Sequence, residues 1–319
     1  MTRYLVMRVL IILPTLFATL TIVFLLGHSG PVDPVTIKRA QYASQGLYLT
    51  PEEVADMRAQ YGLDRPILAQ FGTYLNDLLH FNFGHSYVDN APVLPRIIRA
   101  LPVSGSLALG AIVIMIVVGI PLGVLAARFH NTRLDYAIVG GSLFLYSIPV
   151  YVLVPITLII FALWLDVMDV PRGWKGIGHS SFYVAAALIS LRSLANIIRQ
   201  ARAGVLEVMQ NDYVRTARAK GLREVHVVTR HVARNALIPV VTSLGLLVDD
   251  FMWGSVFVDL AFNFPGLGRL FDSGLRDRDF SMLYGVVLFT ALATMALNLL
   301  VDLIYPFLDP RVVYDEQKN

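Results

Sequence analysis

Long apolar stretches separated by charged segments divide this chain of 319 residues. Four stretches contain no Asp, Glu, Lys or Arg, and each has roughly the 20 helical residues that a bilayer core requires. They are Val9–Gly27, Leu101–Ala127, Tyr136–Leu165 and Phe280–Val301. Two weaker stretches carry charge: one begins at Gly176 and meets Arg192, and Asn235–Val258 contains Asp249 and Asp250. The pattern predicts six membrane-spanning helices.

Composition supports a membrane protein and excludes several kinds of site. Hydrophobic residues make up 56% of the chain and charged residues 15%, against about 25% charged in soluble domains. The absence of cysteine excludes disulfides and thiolate metal ligands. The seven histidines show no metal-ligand spacing, so we expect no metal. The pI near 9.1 does not indicate nucleic acid, because basic residues of membrane proteins collect in cytoplasmic loops.

The basic residues also predict the topology. Arg3 and Arg8 precede the first stretch, which lacks a small-x-small cleavage site and is interpreted as a retained helix rather than a signal peptide. Residues 192–234 contain nine Lys or Arg against three acids. Since Lys and Arg favour the cytoplasmic side, both termini are expected in the cytoplasm and residues 28–100 outside.

The outer segment is expected to be a small helical region. Thr50 is a suitable N-cap, followed by Pro51 and by Glu53 at the third position, and the helix should end near Gly62. Apolar residues at helical spacing predict a second helix from Pro66 to about Leu79. The segment is either a cap packed on the membrane surface or a platform for a soluble partner outside, and the two are compatible.

A basic stretch, residues 211–239, lies between two apolar blocks. Asp212 is the expected N-cap of a short helix that ends at Gly221, with Lys220 at its negative end. The small residues Ala217 and Ala219 would let a partner approach closely. The residues alone leave two interpretations open: a docking surface for a cytoplasmic partner, or an amphipathic helix on anionic lipid.

An ordered set of short strings carries a family resemblance. They are Arg3-Tyr4-Leu5, residues 30–34 (GPVDP), 49–53 (LTPEE), 61–66 (YGLDRP), 119–123 (GIPLG), 147–149 (SIP), 212–222 (DYVRTARAKGL), 264–269 (FPGLGR) and 308–311 (LDPR). With them the chain resembles the B-type permease subunit of dipeptide and oligopeptide ABC importers. The basic stretch is similar to the EAA coupling loop of such permeases. It departs from that pattern at Arg215-Thr216, where Glu-Ala is usual, and Ile238-Pro239 lies further along than the usual Leu-Pro.

The resemblance implies an all-α membrane protein with the type I ABC importer permease fold. Its six transmembrane helices would include a small helical extracytoplasmic segment after the first. The expected parts are helix 1 (1–28), the outer segment (29–100), a five-helix core (101–310) with the coupling loop (200–235), and a cytoplasmic tail (311–319). Localisation in the bacterial inner membrane follows.

The implied role is a transport subunit that is not itself an enzyme. It would form the pathway for di- and oligopeptides with a homologous second permease, and two ATPase subunits would dock on the coupling loops. A solute-binding protein would deliver peptide outside. The expected coupling residues are Tyr213, Arg215, Ala217, Ala219, Lys220 and Gly221. No lysine follows a glycine, so the chain has no P-loop, and ATP with Mg²⁺ is expected on the partner subunits.

Three charges inside the predicted spans are candidates for the translocation path. Asp249 or Asp250 would meet the cationic amino end of a peptide, or Arg192 would pair with one of these acids, since a bare charge in a membrane is costly. Pro121, Pro149 and Pro155 are either kinks or hinges of alternating access.

Other functions remain as alternatives. Within the family the substrate could be glutathione, a nickel complex or another small solute. An intramembrane enzyme using Asp249 and Asp250 is disfavoured, because adjacent helical residues point about 100° apart. A passive channel would not need a docking loop for an ATPase.

Overall fold

The computed structural model describes residues 2–29, 33–166, 168–223, 226, 227, 232, 236, 240 and 256–308. Within them the regular structure is helical, apart from one isolated bridge between His85 and Pro92. The first four helices are α1 (Thr2–Ser29), α2 (Pro34–Ser44), α3 (Pro51–Gln60) and α4 (Ile67–Leu79). The later helices are α5 (Val93–Ile114), α6 (Ile120–Arg128), α7 (Arg133–Ser147), α8 (Val150–Leu158), α9 (Ser180–Val208), α10 (Asp212–Ala219), α11 (Leu267–Arg276) and α12 (Phe280–Leu308). Two π-helical turns, Met115–Gly119 and Ile159–Trp164, follow α5 and α8.

Four of the described helical runs are long and apolar enough to cross a membrane. They are Leu10–Gly27, Val93–Arg128, Ser180–Val208 and Phe280–Val301. These runs correspond to the predicted spans one, two, four and six. The fourth continues in α9 as far as Val208, which is closer to the basic stretch than expected. The predicted fifth span, with Asp249 and Asp250, lies almost wholly outside the described residues.

The third span differs from its prediction as one continuous helix. The apolar run is broken between Ser147 and Val150, and α7 and α8 meet at an angle of 98°. Pro149 explains the break, because proline disfavours helical backbone at Ile148 and cannot donate to the preceding turn. Ile148 is accordingly extended, with φ −89° and ψ 122°.

The chain forms two compact units. The first comprises residues 1–102 and 266–295, and the second residues 103–265 and 296–319. The predicted boundary between outer segment and core, at residue 100, lies inside α5.

In the first unit, the sequence correctly predicted α3 and α4 but not α2. α3 begins with a capping box between Thr50 and Glu53, and Gly62 follows its end with a positive φ of 65°. α2 has its own N-cap, because the Asp33 carboxylate accepts from the Thr36 N–H at 2.6 Å. α4 packs on α1 through aromatic rings: Phe71 lies 5.1 Å from Phe24 and 5.8 Å from Phe17, centroid to centroid.

A buried carboxylate joins the outer loop to the start of α12 in this unit. Asp279 accepts from the Ser86 hydroxyl, from the Tyr87 N–H at 3.0 Å and from the Met282 N–H at 3.3 Å. The carboxylate is buried and fully occupied by donors, so it fixes the loop that follows α4.

The second unit is organised around α9. Its buried residues pack with those of α5, α8 and the 256–264 segment in one apolar core. α6 approaches α9 closely at Gly123, where an added Cβ would lie 2.6 Å from the Ile198 carbonyl and from the Ala201 Cβ. Small residues that let helix backbones approach are typical of membrane helix packing. α6 and α9 therefore form a tightly joined pair beneath the basic stretch.

Candidate coupling surface and translocation path

The basic stretch forms a short helix, α10, whose start lies one residue earlier than expected. Asn211 is the N-cap and Asp212 is the first helical residue, so the prediction of Asp212 as N-cap is wrong by one position. Asn211 makes no side-chain capping hydrogen bond. The helix ends as predicted: Lys220 is the C-cap and Gly221 takes a φ of 76°.

One face of α10 packs on the rest of the second unit. Val214 is fully buried and Ala217 is 6% exposed. Both belong to a cluster that we call the docking cluster, which consists of Ala127, Val205, Val214, Ala217, Val227, Val232 and Ala236. Ala127 is in α6 and Val205 in α9, so α10 is attached to the ends of both helices.

Ala217 does not lie on the exposed face of α10. Its small side chain lets α10 pack closely on α6 and α9 of the same chain. The expectation that Ala217 lets a partner approach closely is therefore not what the structure shows. The spacing of three between Val214 and Ala217 could have shown this, because residues three apart share a helix face.

The other expected coupling residues lie on the opposite, solvent-exposed face. Tyr213 is 42% exposed, and the Arg215 side chain is 73% exposed beside Asp212, with Nη1 3.8 Å from Oδ1. Ala219, Lys220 and Gly221 are exposed as well. α10 thus presents a cationic face with one aromatic ring, while its apolar face holds it in place.

An ion pair that the sequence analysis missed braces the helices beneath α10. Arg202 of α9 donates twice to the buried Asp135 at the start of α7, from Nε to Oδ1 and from Nη2 to Oδ2, each at 2.7 Å. The Asn131 N–H donates to the same carboxylate at 2.9 Å, and His130 Nδ1 lies 2.9 Å from Arg202 Nη2. Such a two-point pair fixes relative orientation as well as distance.

This pair, which we call the Asp135–Arg202 clamp, lies next to the docking cluster in sequence. Arg202 is one helical turn before Val205, and Asn131 follows Ala127 after a short turn. The clamp holds α7 to α9, and the cluster holds α10 to α6 and α9. In the sequence, the clamp is indicated only by Asp135, a carboxylate in the first turn of an apolar helix. Asp135 has no cationic residue three or four positions away.

Arg192 lies at a cavity in the second unit where the third span is broken. The cavity has a volume of about 520 Å³ and is lined by residues 145–151 and 153, by 188, 189 and 191–193, and by Phe257. Arg192 is exposed, and no carboxylate of the described residues forms an ion pair with it. Tyr151 and Phe257 pack together at the cavity with ring centroids 5.7 Å apart.

The other two candidates for the path, Asp249 and Asp250, lie outside the described residues. The proposed pairing of Arg192 with either acid therefore stays a prediction. The structure does bring Arg192 together with Pro149, because both line the same cavity.

Comparisons with known proteins match the whole chain. Residues 119–314 match the family model of the binding-protein-dependent transport system inner membrane component, and residues 1–108 match the N-terminal model of the same systems. A putative peptide transport system permease protein of Brucella suis is 35% identical over 99% of this chain and 100% of its own. The oligopeptide transport system permease protein OppB of Salmonella typhimurium is 32% identical over 98% of this chain and 100% of its own.

A solved structure shares the fold. A chain of the MetNI methionine ABC transporter, in an inward-facing conformation, matches with a TM-score of 0.57 and 15% identity, over 67% of this chain and 97% of that chain. The family model covers more than half of the chain, and the relatives match it from end to end. The chain is an integral inner membrane protein that belongs to the binding-protein-dependent transport system inner membrane components, with the permease fold of ABC importers.

Proposed function

We propose that this chain is one of two permease subunits of an ATP-driven importer. With the second permease it forms the pathway for di- or oligopeptides that an extracytoplasmic binding protein delivers. Two ATPase subunits bind ATP and Mg²⁺, and the chain itself is not an enzyme. The end-to-end similarity to relatives whose names record peptide transport supports this proposal.

The two faces of α10 are the observation that carries the coupling role. The buried face of α10 is anchored in the docking cluster, so a displacement of the helix would be transmitted to α6 and α9. The exposed face of α10 presents Tyr213, Arg215 and Lys220 to a partner. A helix that only lay on lipid would place its apolar face in the membrane, whereas Val214 and Ala217 are buried within the chain itself.

The proposed topology places α10 and both termini in the cytoplasm, with the outer segment on the other side. The basic bias of the segment after α9 supports this orientation. ATP-driven closure of the ATPases would then move α10 together with the clamped ends of α7 and α9.

We further propose that Arg192 meets substrate in the pathway. Arg192 lies at a cavity beside a broken span and pairs with no described carboxylate, which suits it to the carboxylate end of a peptide. Broken helices commonly line substrate sites in transporters. Asp249 or Asp250 would take the cationic amino end. This arrangement would let one pathway orient a zwitterionic peptide.

The coupling proposal is tested in proteoliposomes that contain this chain with its second permease, the ATPases and the binding protein. The exposed change Arg215→Glu is expected to lower peptide uptake at least tenfold while the chain remains in the membrane. Arg39→Glu reverses another exposed arginine, on α2, which the proposed topology places outside, and should leave the ATPase contact intact. If peptide uptake is equal with both variants, α10 is not the coupling surface.

The substrate proposal is tested with a tripeptide and its C-terminal amide. Arg192→Gln should reduce uptake of the free acid more than uptake of the amide, whereas Arg192→Lys should retain part of the preference. The double change Asp249→Asn and Asp250→Asn should act on the amino end, so N-acetylated peptide is its matched probe. Unchanged uptake of every peptide in stable complexes would remove these residues from the pathway.

A further inference from the structure

A second cavity lies in the first unit, away from the coupling surface in sequence, and the proposed transport role does not use it. Its volume is about 870 Å³, within the range of about 300–1,000 Å³ typical of small-molecule sites. Residues of α1, of the outer segment and of the first turns of α12 line it. All of these residues belong to the same compact unit.

One wall of the cavity is formed by the ends of two membrane spans. Val23, Phe24 and Gly27 belong to the last turns of the apolar run Leu10–Gly27, and Tyr284 and Leu288 to the first turns of Phe280–Val301. The cavity therefore lies beside the ends of two runs that are apolar enough to span, where a membrane's headgroup level would be. Tyrosine, which is enriched at that level, lines it at four positions: Tyr61, Tyr74, Tyr87 and Tyr284.

The polar wall contains an unsatisfied donor. The Tyr74 hydroxyl is buried and has no hydrogen-bond partner among the described residues. Burial raises the pKa of Tyr74 to about 12, so the group remains a protonated donor. Buried hydroxyls nearly always have a partner, and the residue that carries this one lines the cavity.

Charges of both signs line the same wall. Arg58 and Asp33 pair with each other, Nη2 to Oδ2 at 3.1 Å, whereas Arg65 and Asp77 form no ion pair with a described residue. Asp33 stays ionised: despite partial burial, hydrogen bonds from Thr36 and the nearby Arg58 hold its pKa below the ordinary value. Guanidinium groups bind phosphate well, and carboxylates bind ammonium groups.

We propose that this cavity binds the headgroup of an aminophospholipid, a phosphodiester that carries a primary ammonium group, from the outer leaflet. Arg65 would face the phosphate, Asp77 the ammonium, and the Tyr74 hydroxyl a phosphate or ester oxygen. The acyl chains would continue along the apolar wall of Val23, Phe24 and Leu288. A free peptide also carries both charges, but it lacks the acyl chains that would pack on the apolar ends of the two spans.

The test is native mass spectrometry of the purified full chain in micelles containing equal amounts of phosphatidylethanolamine and phosphatidylglycerol. The first lipid carries the ammonium group and the second lacks it. We expect retained phosphatidylethanolamine in clear excess, and little competition from soluble glycerophosphoethanolamine, which lacks the acyl chains. Competition by the soluble headgroup at concentrations equal to the lipid would assign the site to a free phosphodiester instead.

Two variants locate the binding. Tyr74→Phe removes only the hydroxyl and should weaken phosphatidylethanolamine binding about two- to tenfold, the range for one hydrogen bond. Asp77→Asn should abolish the preference over phosphatidylglycerol. The matched control is Tyr48→Phe, since Tyr48 is 84% exposed and does not line the cavity.

Three results would overturn the proposal. They are equal retention of the two lipids by the wild-type chain, unchanged retention in both cavity variants with monodisperse elution, and displacement of the lipid by trialanine. The last result would make the cavity a peptide site. Since binding is measured without ATP or partner subunits, its outcome is independent of whether the chain transports peptides.

Discussion

Two short exposed helices, α3 and α10, are stabilised in opposite ways. α3 buries no residue, and its ends are satisfied locally: the Thr50 N–H donates to Glu53 Oε2 at 2.7 Å and the Glu53 N–H to Thr50 Oγ1 at 3.3 Å. α10 has no side-chain cap hydrogen bond at Asn211, and it buries Val214 and Ala217 in the docking cluster. The first helix depends on its own sequence and the second on its neighbours.

The two helices therefore differ in how far a displacement of each would be transmitted to the rest of its unit. A locally capped helix can move or unfold without disturbing the rest of the unit, because few buried contacts connect it to other elements. A helix held by packing cannot, since interiors are dense and transmit displacement. α10 has the attachment that a coupling element needs, and α3 does not.

The largest effect on α10 should come from the clamp beneath it. Arg202→Ala leaves the Asp135 carboxylate buried without its cation, which costs about 3–5 kcal/mol in such pairs. We expect lower thermal stability and ATPase activity that no longer drives uptake. Differential scanning fluorimetry and a paired measurement of ATP hydrolysis and peptide uptake in proteoliposomes check the two effects.

The control for the clamp is Arg199→Ala, three residues earlier on α9. Arg199 contacts Asn196 on its own helix and is exposed. Its loss should change stability little. Equal losses from the two substitutions would show that charge on α9, and not the clamp, matters.

A smaller effect is expected from trimming the docking cluster. Val214→Ala removes two buried methyl groups and should cost about 2 kcal/mol. α10 should then detach more often, so trypsin should cleave faster after Arg215, Arg218 and Lys220. Val170→Ala, at a valine that is 52% exposed, is the matched control. If both variants are digested at the wild-type rate, packing on the cluster does not hold α10.

The two helices also show what a sequence can reveal. Thr50, Pro51, Glu53 and Gly62 act over a few residues, so α3 was predicted from its own letters. The existence of α10 and its end at Gly221 were predicted on the same basis. The clamp joins Asp135 and Arg202, which lie 67 residues apart in sequence, so no local pattern indicated the pair. The inward direction of Ala217 had a local signal in its spacing of three from Val214, but its contacts with α6 and α9 did not. The break at Pro149 had a local signal, but apolarity alone favoured one continuous span.

A substitution at the C-terminal end of α10 should have a smaller effect than the change in the docking cluster. Gly221 has a φ of 76°, and an added Cβ there meets no atom within 4 Å. Gly221→Ala therefore adds backbone strain of about 1 kcal/mol without a clash. We expect faster tryptic cleavage after Lys220 than in wild type, but slower than in Val214→Ala. Gly178→Ala, at a glycine with open space and an ordinary φ, should leave the digestion unchanged.

The smallest effect should come from the cap of α3. Thr50→Ala removes the side-chain cap, which is typically worth about 0.5–2 kcal/mol of local helix stability. Hydrogen exchange should accelerate in residues 51–60 while thermal stability and peptide uptake stay at wild-type values.

The cap also predicts a pH dependence. Hydrogen bonds from Thr50 lower the pKa of Glu53, so the stabilisation is complete above the unfolded pKa and is lost as the pH falls through the lowered folded value. Protection of α3, corrected for intrinsic exchange, should thus decrease in acid in wild type and much less in Glu53→Gln, which has no carboxylate to protonate where the Thr50 N–H donates. Acid sensitivity of equal size in both would show that the helix is held by contacts other than its cap, and the contrast with α10 would fail.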